Sequence, residues 1–505
     1  MSTTTTKTGM PLRGKLVIAF LAVAILGGLY FGFQDKITSF AGNTASGGVI
    51  NIGVNTWPGF IGGQYMNDGF APNLESRLYK EYGIQVEFKL IDDFLASRKA
   101  FESGEIDLLW VTADALPTEM GRQGTMAMTN SKFIFQVDWS RGGDAIVADQ
   151  SVEKFGDLKG KKVAVAEGTP SHSLLIKMLQ ANNMTLSDVE LVPVTGAIEA
   201  ANMFKQGAVP AAVVWSPDDI DCVKKVAGAK VLVSSKEASN IIADGFIVKA
   251  DYLAANKEKL QKLYDAWMIG AAEVNSDFNG ARQKSAKILA DKYQMNEVDA
   301  LAMLDNVRLT NHGDNKNFFG LGDATSVTGD LLYTSMAGEY QKISMVESPL
   351  MWKDVSDVCL VKGSTLSGNG QLAEVTKKFT DATDDVKSKT AYSTKKVTIN
   401  FPTGSYTLTG ESKAIITREF AEIARTNGGA RIRIEGNTDN TGNADLNKKL
   451  SQNRAQAVAD YMTAQYHFDP KRFIVIGNGS KHAINDGVKG SNDSYRTTDF
   501  ELIKE

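Results

Sequence analysis

Apolar and polar positions change their period several times along the chain, and those changes mark its organisation. From Val49 onward, short apolar runs alternate with stretches of helical period: NIGV, then a helix around Leu74 to Tyr82, then VEFKLI and IDLLWVT. Short apolar runs bounded by turn residues read as strands buried in a sheet, and a period near 3.6 reads as helices packed on it. The alternation continues to about Ser344 and predicts a doubly wound α/β arrangement.

The pattern also repeats itself. KAFESGEIDLLWVTADAL (Lys99 to Leu116) is echoed by ANMFKQGAVPAAVVWSPDDI (Ala201 to Ile220), each a helix end, a Gly turn, an apolar strand and a Trp. Phe101 and Phe204 are 103 residues apart, as are Gly104 and Gly207, whereas Trp110 and Trp215 are 105 apart. Two similar lobes are expected within residues 49–350, the second with a small local insertion. Ligands of open α/β sheets gather at the C-terminal ends of strands, so facing lobes would set Trp57, Trp110 and Trp215 around one cleft.

Ser364 to Tyr392 is rich in Ser, Thr, Lys and Asp, with a weak helical period around Leu372 to Val386, and a linker is expected over residues 351–394. From Lys396 a new pattern begins: VTINF, a helix at Glu411 to Arg425, RIRIEGN, a helix at Asn447 to Gln465, FIVIGNG and TDFELI. It predicts a compact α+β domain over residues 395–505.

At the other end, Lys7, Arg13 and Lys15 precede Leu16 to Phe33, eighteen residues without a charge. As a helix this run reaches roughly 27 Å, nearly a bilayer. The cations before it, against the offsetting Asp35 and Lys36 after it, place residues 1–15 in the cytoplasm, residues 16–33 across the inner membrane and the rest, through a linker at 34–48, in the periplasm. Cleavage near Ala41 or Ala45 is the alternative, but the apolar run is longer than a usual signal core. It has no cysteine to carry a lipid and no ionisable group to carry protons, so it reads as a tether.

Composition narrows the function classes. With 43% hydrophobic and 23% charged residues, most of the chain should fold. A formal charge of -4, with Lys and Arg scattered, lacks the basic footprint that nucleic acid requires. Cys222 and Cys359 make neither a zinc site nor a disulfide framework, although one bridge stays open. The four histidines, at 172, 312, 467 and 482, form no HExxH pattern, and no GxSxG or Walker loop occurs. No enzyme, cofactor or metal is expected.

Several residues could serve a cleft. GTPSHS follows the strand KVAVA and opens a helix whose free N–H groups, with the Thr169, Ser171 and Ser173 hydroxyls, could hold an anion or carbonyl oxygen; ordinary capping uses the same atoms. His172 sits in this turn. Trp57 lies in a Pro-Gly loop, where an indole walls a cleft or fills a core. Asp114 and Asp218 follow Trp-bearing strands and would meet a cationic group or cap a helix, while Asp144, in GGDAIV, is either a ligand contact or a charge at a lobe hinge.

In the last domain, GNTDNTG (Gly436 to Gly442) followed by NKKLSQNRAQAVADYM (Asn447 to Met462) resembles the OmpA C-terminal family. The resemblance implies that Asp439 takes the ammonium, and Arg454 of LSQNRA the carboxylate, of diaminopimelate in the peptidoglycan stem peptide, by fork pairing. Thr438, Asn447 and Leu450 match the motif too. Read without the family, Asp439 caps a turn and Arg454 is a solvated helix face. Where the family usually has Asn-Arg-Arg-Val-Glu, this chain has Tyr495 to Asp499 as YRTTD, with one supporting arginine missing.

NTWPGF, WVTADALP, DWSRGGDAIV, LKGKKVAVAEGTPSH and VVWSPD together resemble periplasmic solute-binding proteins of ABC importers, of the nitrate, sulfonate, taurine and thiamine-precursor group. That resemblance implies a bilobed α/β periplasmic-binding-protein fold that closes on a small solute and passes it to an importer permease or a sensor. Its relatives include enzymes that make a pyrimidine precursor, which would make His172 reactive. The expected partners are a small solute, peptidoglycan and a permease.

Overall fold

The computed structural model describes residues 48–120, 125–322, 327–375, 377–402 and 404–505. The expected cytoplasmic segment and anchor lie outside the described residues, as does all of the first linker but its last residue. Among the described residues no helix is long and apolar enough to cross a membrane. Ile50–Glu505 form one compact unit.

The chain lays down β1 (Ile50–Val54), β2 (Val86–Leu90), β3 (Leu108–Thr112) and β4 (Ser131–Ser140). It then crosses into a second sheet of β5 (Asp144–Ala148), β6 (Lys162–Ala166), β7 (Glu190–Val194), β8 (Ala211–Trp215) and β9 (Lys230–Ser234), and returns with β10 (Ala243–Lys249) and β11 (Val307–Leu309). The sheet orders are β11-β4-β10-β3-β1-β2 and β7-β6-β8-β5-β9. Both sheets are mixed: β1, β2 and β3 are parallel while β10 runs antiparallel between β3 and β4, and β5 runs antiparallel to β8 and β9. Every residue of β3 and all but the last of β8 are buried, which explains their unbroken apolar runs.

The repeat in the sequence is a repeat in structure. Helix Phe94–Ser103 ends on Gly104 at φ 78° and leads to β3; helix Ala197–Lys205 is followed by Gly207 at φ 70° and leads to β8. The left-handed turn favours glycine at both places. Phe101 and Phe204 are fully buried, one in each lobe.

The second linker starts later than composition suggests. Helices Trp352–Val355 and Cys359–Gly363 belong to the first lobe: Trp352, Val355, Leu360 and Val361 join its core, and the Trp352 ring lies 5.4 Å from that of Phe133. The expected helical period reduces to the turn Asn369–Gln371 and the short helix Asp384–Ser388. The intervening chain is strapped down by polar bonds. Asn311 Nδ2 donates to the carbonyls of Gly370 and Leu372, and both Oε atoms of Glu374 accept from Arg141 at 2.6 Å. Cys222 and Cys359 are both free thiols.

The C-terminal sheet has the order β12 (Ser393–Val397), β15 (Thr498–Ile503), β13 (Arg431–Asn437) and β14 (Phe473–Gly479). Its first strand is STKKV rather than VTINF. The expected helix at 411–425 is interrupted by a π-helical turn, Thr417–Ala421. Phe420 stacks on Phe500 at 4.5 Å, and helix Ala444–Tyr466 lies so close to the sheet that a Cβ on Gly436 would fall 2.2 Å from the Ser451 carbonyl oxygen.

This domain is seated on the second lobe. Ser393 Oγ donates to the Ala181 carbonyl, the backbone N–H of Lys396 donates to Asn183 Oδ1, and Tyr392 and Ile423 pack against cores on both sides. Lys177 Nζ donates to Ser335 Oγ at 2.7 Å and to Glu422 Oε1 at 2.6 Å, and Ser335 Oγ donates to the same Glu422 oxygen. Helix Gly329–Lys342, which carries Ser335, is packed in the first-lobe core.

Candidate functional site

Strand register gathers carboxylates where the chain crosses between lobes. Asp138 near the end of β4 faces Asp244 on β10, and Asp244 faces Thr112 at the end of β3. Asp114, just past β3, accepts from the Ala243 N–H at 3.3 Å. Asp144 opens β5 and accepts from Ser140 Oγ at 2.7 Å, while Ser235 Oγ, from the other crossing, takes the N–H groups of Gly142 and Asp144. The four carboxylates are at most 6% exposed, and none forms an ion pair with Lys, Arg or His among the described residues.

Trp57 closes over this group from the end of β1. Its Nε1 donates to Asp138 Oδ2 at 2.9 Å. Two glycines make room: a Cβ on Gly59 would sit 1.4 Å from that same oxygen, and one on Gly143 would sit 2.1 Å from the indole ring.

Burial dominates the electrostatics. It pushes Asp114 up to about 6 and both Asp138 and Asp144 up to about 7, against partial relief from hydrogen bonds. Asp244 is raised well above the usual range by burial and then by the adjacent Asp138 charge. Two carboxylates in direct contact share a proton rather than both ionise.

The second lobe presents the start of helix Pro170–Gln180. Its hydroxyls are turned inward: Thr169 Oγ1 donates to the Ala166 carbonyl, Trp215 Nε1 donates to Ser171 Oγ at 3.0 Å, and Ser173 Oγ meets Tyr340 Oη at 2.8 Å. Each hydroxyl of the expected anion cradle, Thr169, Ser171 and Ser173, thus already has a partner within the protein. His172 is fully buried. Its Nδ1 accepts from the Gly168 N–H, its Nε2 has no hydrogen-bond partner, and burial lowers its pKa to about 4. The ring is therefore neutral at pH 7 with its proton on Nε2.

The expected residues divide accordingly. Trp57, Asp114, Asp144, Ser171, His172 and Trp215 lie along the junction. Trp110 does not wall a cleft; it is buried in β3 against the Phe94 ring at 6.0 Å and beneath Arg98. Asp218 turns to Lys205, 3.2 Å away, in the first turn of helix Asp218–Lys225. Sequence reasoning missed Asp138 and Asp244. Their signal was a lone acid inside an apolar strand, FIFQVDW and IIADGFIV, a place where carboxylates are rare unless partnered.

In the C-terminal domain Asp439 Oδ2 accepts from Arg496 Nε and Nη2 at 2.9 and 2.7 Å. Burial works to raise Asp439, but the Arg496 bonds and the Asn492 N–H outweigh it and hold the carboxyl below its usual range. Arg454 does not pair with it: Nε donates to the Ser405 carbonyl at 3.0 Å, and the guanidinium lies 5.0 Å from the centre of the Phe401 ring. Burial and the nearby Arg496 charge both lower the Arg454 pKa, so the three groups sense one another. Asn447 Nδ2 donates to the Thr441 carbonyl, and Thr438 is buried with Oγ1 unpartnered.

A cavity of about 460 Å³ between the first lobe and the C-terminal domain is lined by Arg141, Glu374, Lys377 and Glu505. Within it Arg141 pairs with Glu374 and Lys377 with Glu505, while Arg472 is held by backbone carbonyls and Arg425 keeps a buried Nε without a partner.

Comparison with known proteins places both regions. Residues 400–497 match the OmpA family, and residues 142–277 match the family described as NMT1/THI5 like. The chain carries a region similar to each. A binding protein of Brucella abortus (strain 2308) is 23% identical over 282 residues, 55% of this chain and 83% of that protein. An aliphatic sulfonates-binding protein of Escherichia coli (strain K12) is 37% identical over 73 residues, 14% of this chain and 23% of its own length. Among solved structures, the periplasmic aliphatic sulphonate binding protein of Escherichia coli aligns at TM-score 0.48 and 17% identity, over 67% of this chain and 98% of that one.

Proposed function

We propose that this chain is a tethered periplasmic solute-binding protein. The lobes close on a small solute where β3, β4, β5 and β10 meet, and the C-terminal domain holds peptidoglycan through Asp439, Arg454 and Arg496. The observation that carries this reading is the convergence of Asp114, Asp138, Asp144 and Asp244 beneath Trp57 at the two crossings, the place where lobe rotation is felt first. Leu16–Phe33 supplies the membrane anchor, and an importer permease or a sensor receives the solute. Binding rather than catalysis is assigned, because among the described residues no hydroxyl or thiol is hydrogen-bonded to His172.

The test uses Gly48–Glu505, which contains the whole compact unit. Co-sedimentation with purified peptidoglycan sacculi, combined with a thermal-shift screen of small solutes, is expected to show both activities. A chain that stays in the supernatant loses the wall assignment, and one that no solute stabilises loses the capture assignment.

A further inference from the structure

The cleft's unpartnered groups point to the chemistry of what it takes. Asp114 Oδ2 and Asn55 Oδ1 are buried acceptors with no hydrogen-bond partner, Asp138 has for its second oxygen only the proton it shares with Asp244, and Asn55 is only 8% exposed. Asn55 lies two residues before Trp57, whose Nε1 donates to Asp138. Buried acceptors left empty are costly, and a donor-rich guest satisfies them. Opposite, His172 keeps Nδ1 on its own turn, so Nε2–H on the far edge of the ring faces away from that turn.

The nearby cations are already engaged. Arg98 is closed on Glu119 at 2.7 and 2.8 Å, and Arg141 on Glu374. Asp219 adds a further negative charge that acts on Asp144. Among the described residues no group of three His, Cys, Asp or Glu side chains is placed to hold a metal ion.

Resting on the capture reading above, we infer that the solute is an organic cation carrying N–H donors, seated on the Asp138–Asp244 pair with the Trp57 indole against it. An indole face favours a cation, and a flat amidinium or an ammonium supplies both charge and donors. A sulfonate or nitrate would bring a further negative charge into a wall of carboxylates.

The titratable groups of this junction are Asp114, Asp138, Asp144, Asp219 and Asp244, and Ser173 of the second lobe links Asp114 to Tyr340 beside the neutral His172 ring. Since burial holds several of these carboxyls protonated near pH 6, a cation has to release protons on entering, and its affinity rises with pH.

The experiment is calorimetric titration of the full chain in detergent micelles with benzamidine, spermidine, ethanesulfonate and nitrate, at pH 5.5 and pH 8. The expected result is binding of benzamidine or spermidine, about tenfold or more tighter at pH 8, with proton release in buffers of differing ionisation enthalpy. The variant Asp138→Asn should lose most of that affinity, and Asp144→Asn serves if the first does not fold. Binding of ethanesulfonate or nitrate instead, or cation binding indifferent to pH and to both variants, overturns the cation assignment and leaves solute capture standing. Binding of neither charge class removes the capture reading itself.

Discussion

Arg496 grips one oxygen of Asp439 with two N–H donors, while Arg454, on the helix facing it, gives its Nε to the Ser405 carbonyl. Asp439 is therefore neutralised before any ligand arrives. On the proposed wall-binding role, a stem-peptide ammonium would have to share Asp439 with Arg496, and the displaced guanidinium would then stand beside Arg454 for the ligand carboxylate.

Alanine at Asp439 or Arg454 is expected to weaken co-sedimentation with sacculi about tenfold or more, the scale of one charge-assisted hydrogen bond lost. Arg496→Ala should weaken it similarly, whereas Arg496→Lys keeps the charge and recovers part. An Arg496→Ala variant that binds as wild type would make that residue a fold contact only.

Gly436 touches the Ser451 backbone across the strand and helix interface of the C-terminal domain. Gly436→Ala must push the Ala444–Tyr466 helix outward, at a cost of about 1–3 kcal/mol. Denaturant unfolding of this domain should report the loss.

Removing the indole donor tests the cleft wall. Trp57→Phe leaves Asp138 Oδ2 without its N–H, an expected loss of about 1–3 kcal/mol. Adding Asp138→Asn to Trp57→Phe should recover part of it, and the double-mutant cycle measures the coupling.

Stability should fall as pH rises. Asp114, Asp138 and Asp144 have folded-state values near 6 to 7 against 3.8 unfolded, so the folded state keeps protons the unfolded state has released. Their contribution is complete below about pH 4 and is lost as pH rises through 7. His172, lowered from 6.5 to about 4, acts oppositely, but one imidazole faces three carboxyls. Melting temperature is expected to decline from pH 5 to pH 8, and less steeply in Asp138→Asn.

Much of this was legible in the residue pattern. The helix, glycine and strand unit around Phe101 recurs around Phe204 because the same packing problem is solved twice. The motif around Asp439 and Arg454 marked the region that matches the OmpA family. What the pattern hid was register: nothing in FIFQVDW or IIADGFIV says that Asp138 and Asp244 are strand neighbours. The same blindness put Trp110 in the cleft, since a Trp inside a strand carries no mark of which layer covers it. Residues 364–375 read as loose because their bonds, such as Asn311 to Leu372, are polar and distant in sequence.

The seat of the C-terminal domain has a mechanical consequence. Glu422 accepts at once from Lys177 of the second lobe and Ser335 of the first. Lobes that swing apart must break at least one of these bonds, so the C-terminal domain is also a latch on the jaws. A load that pulls this domain from its seat spends its work on the same bonds that resist opening, and by reciprocity a closed jaw tightens the seat.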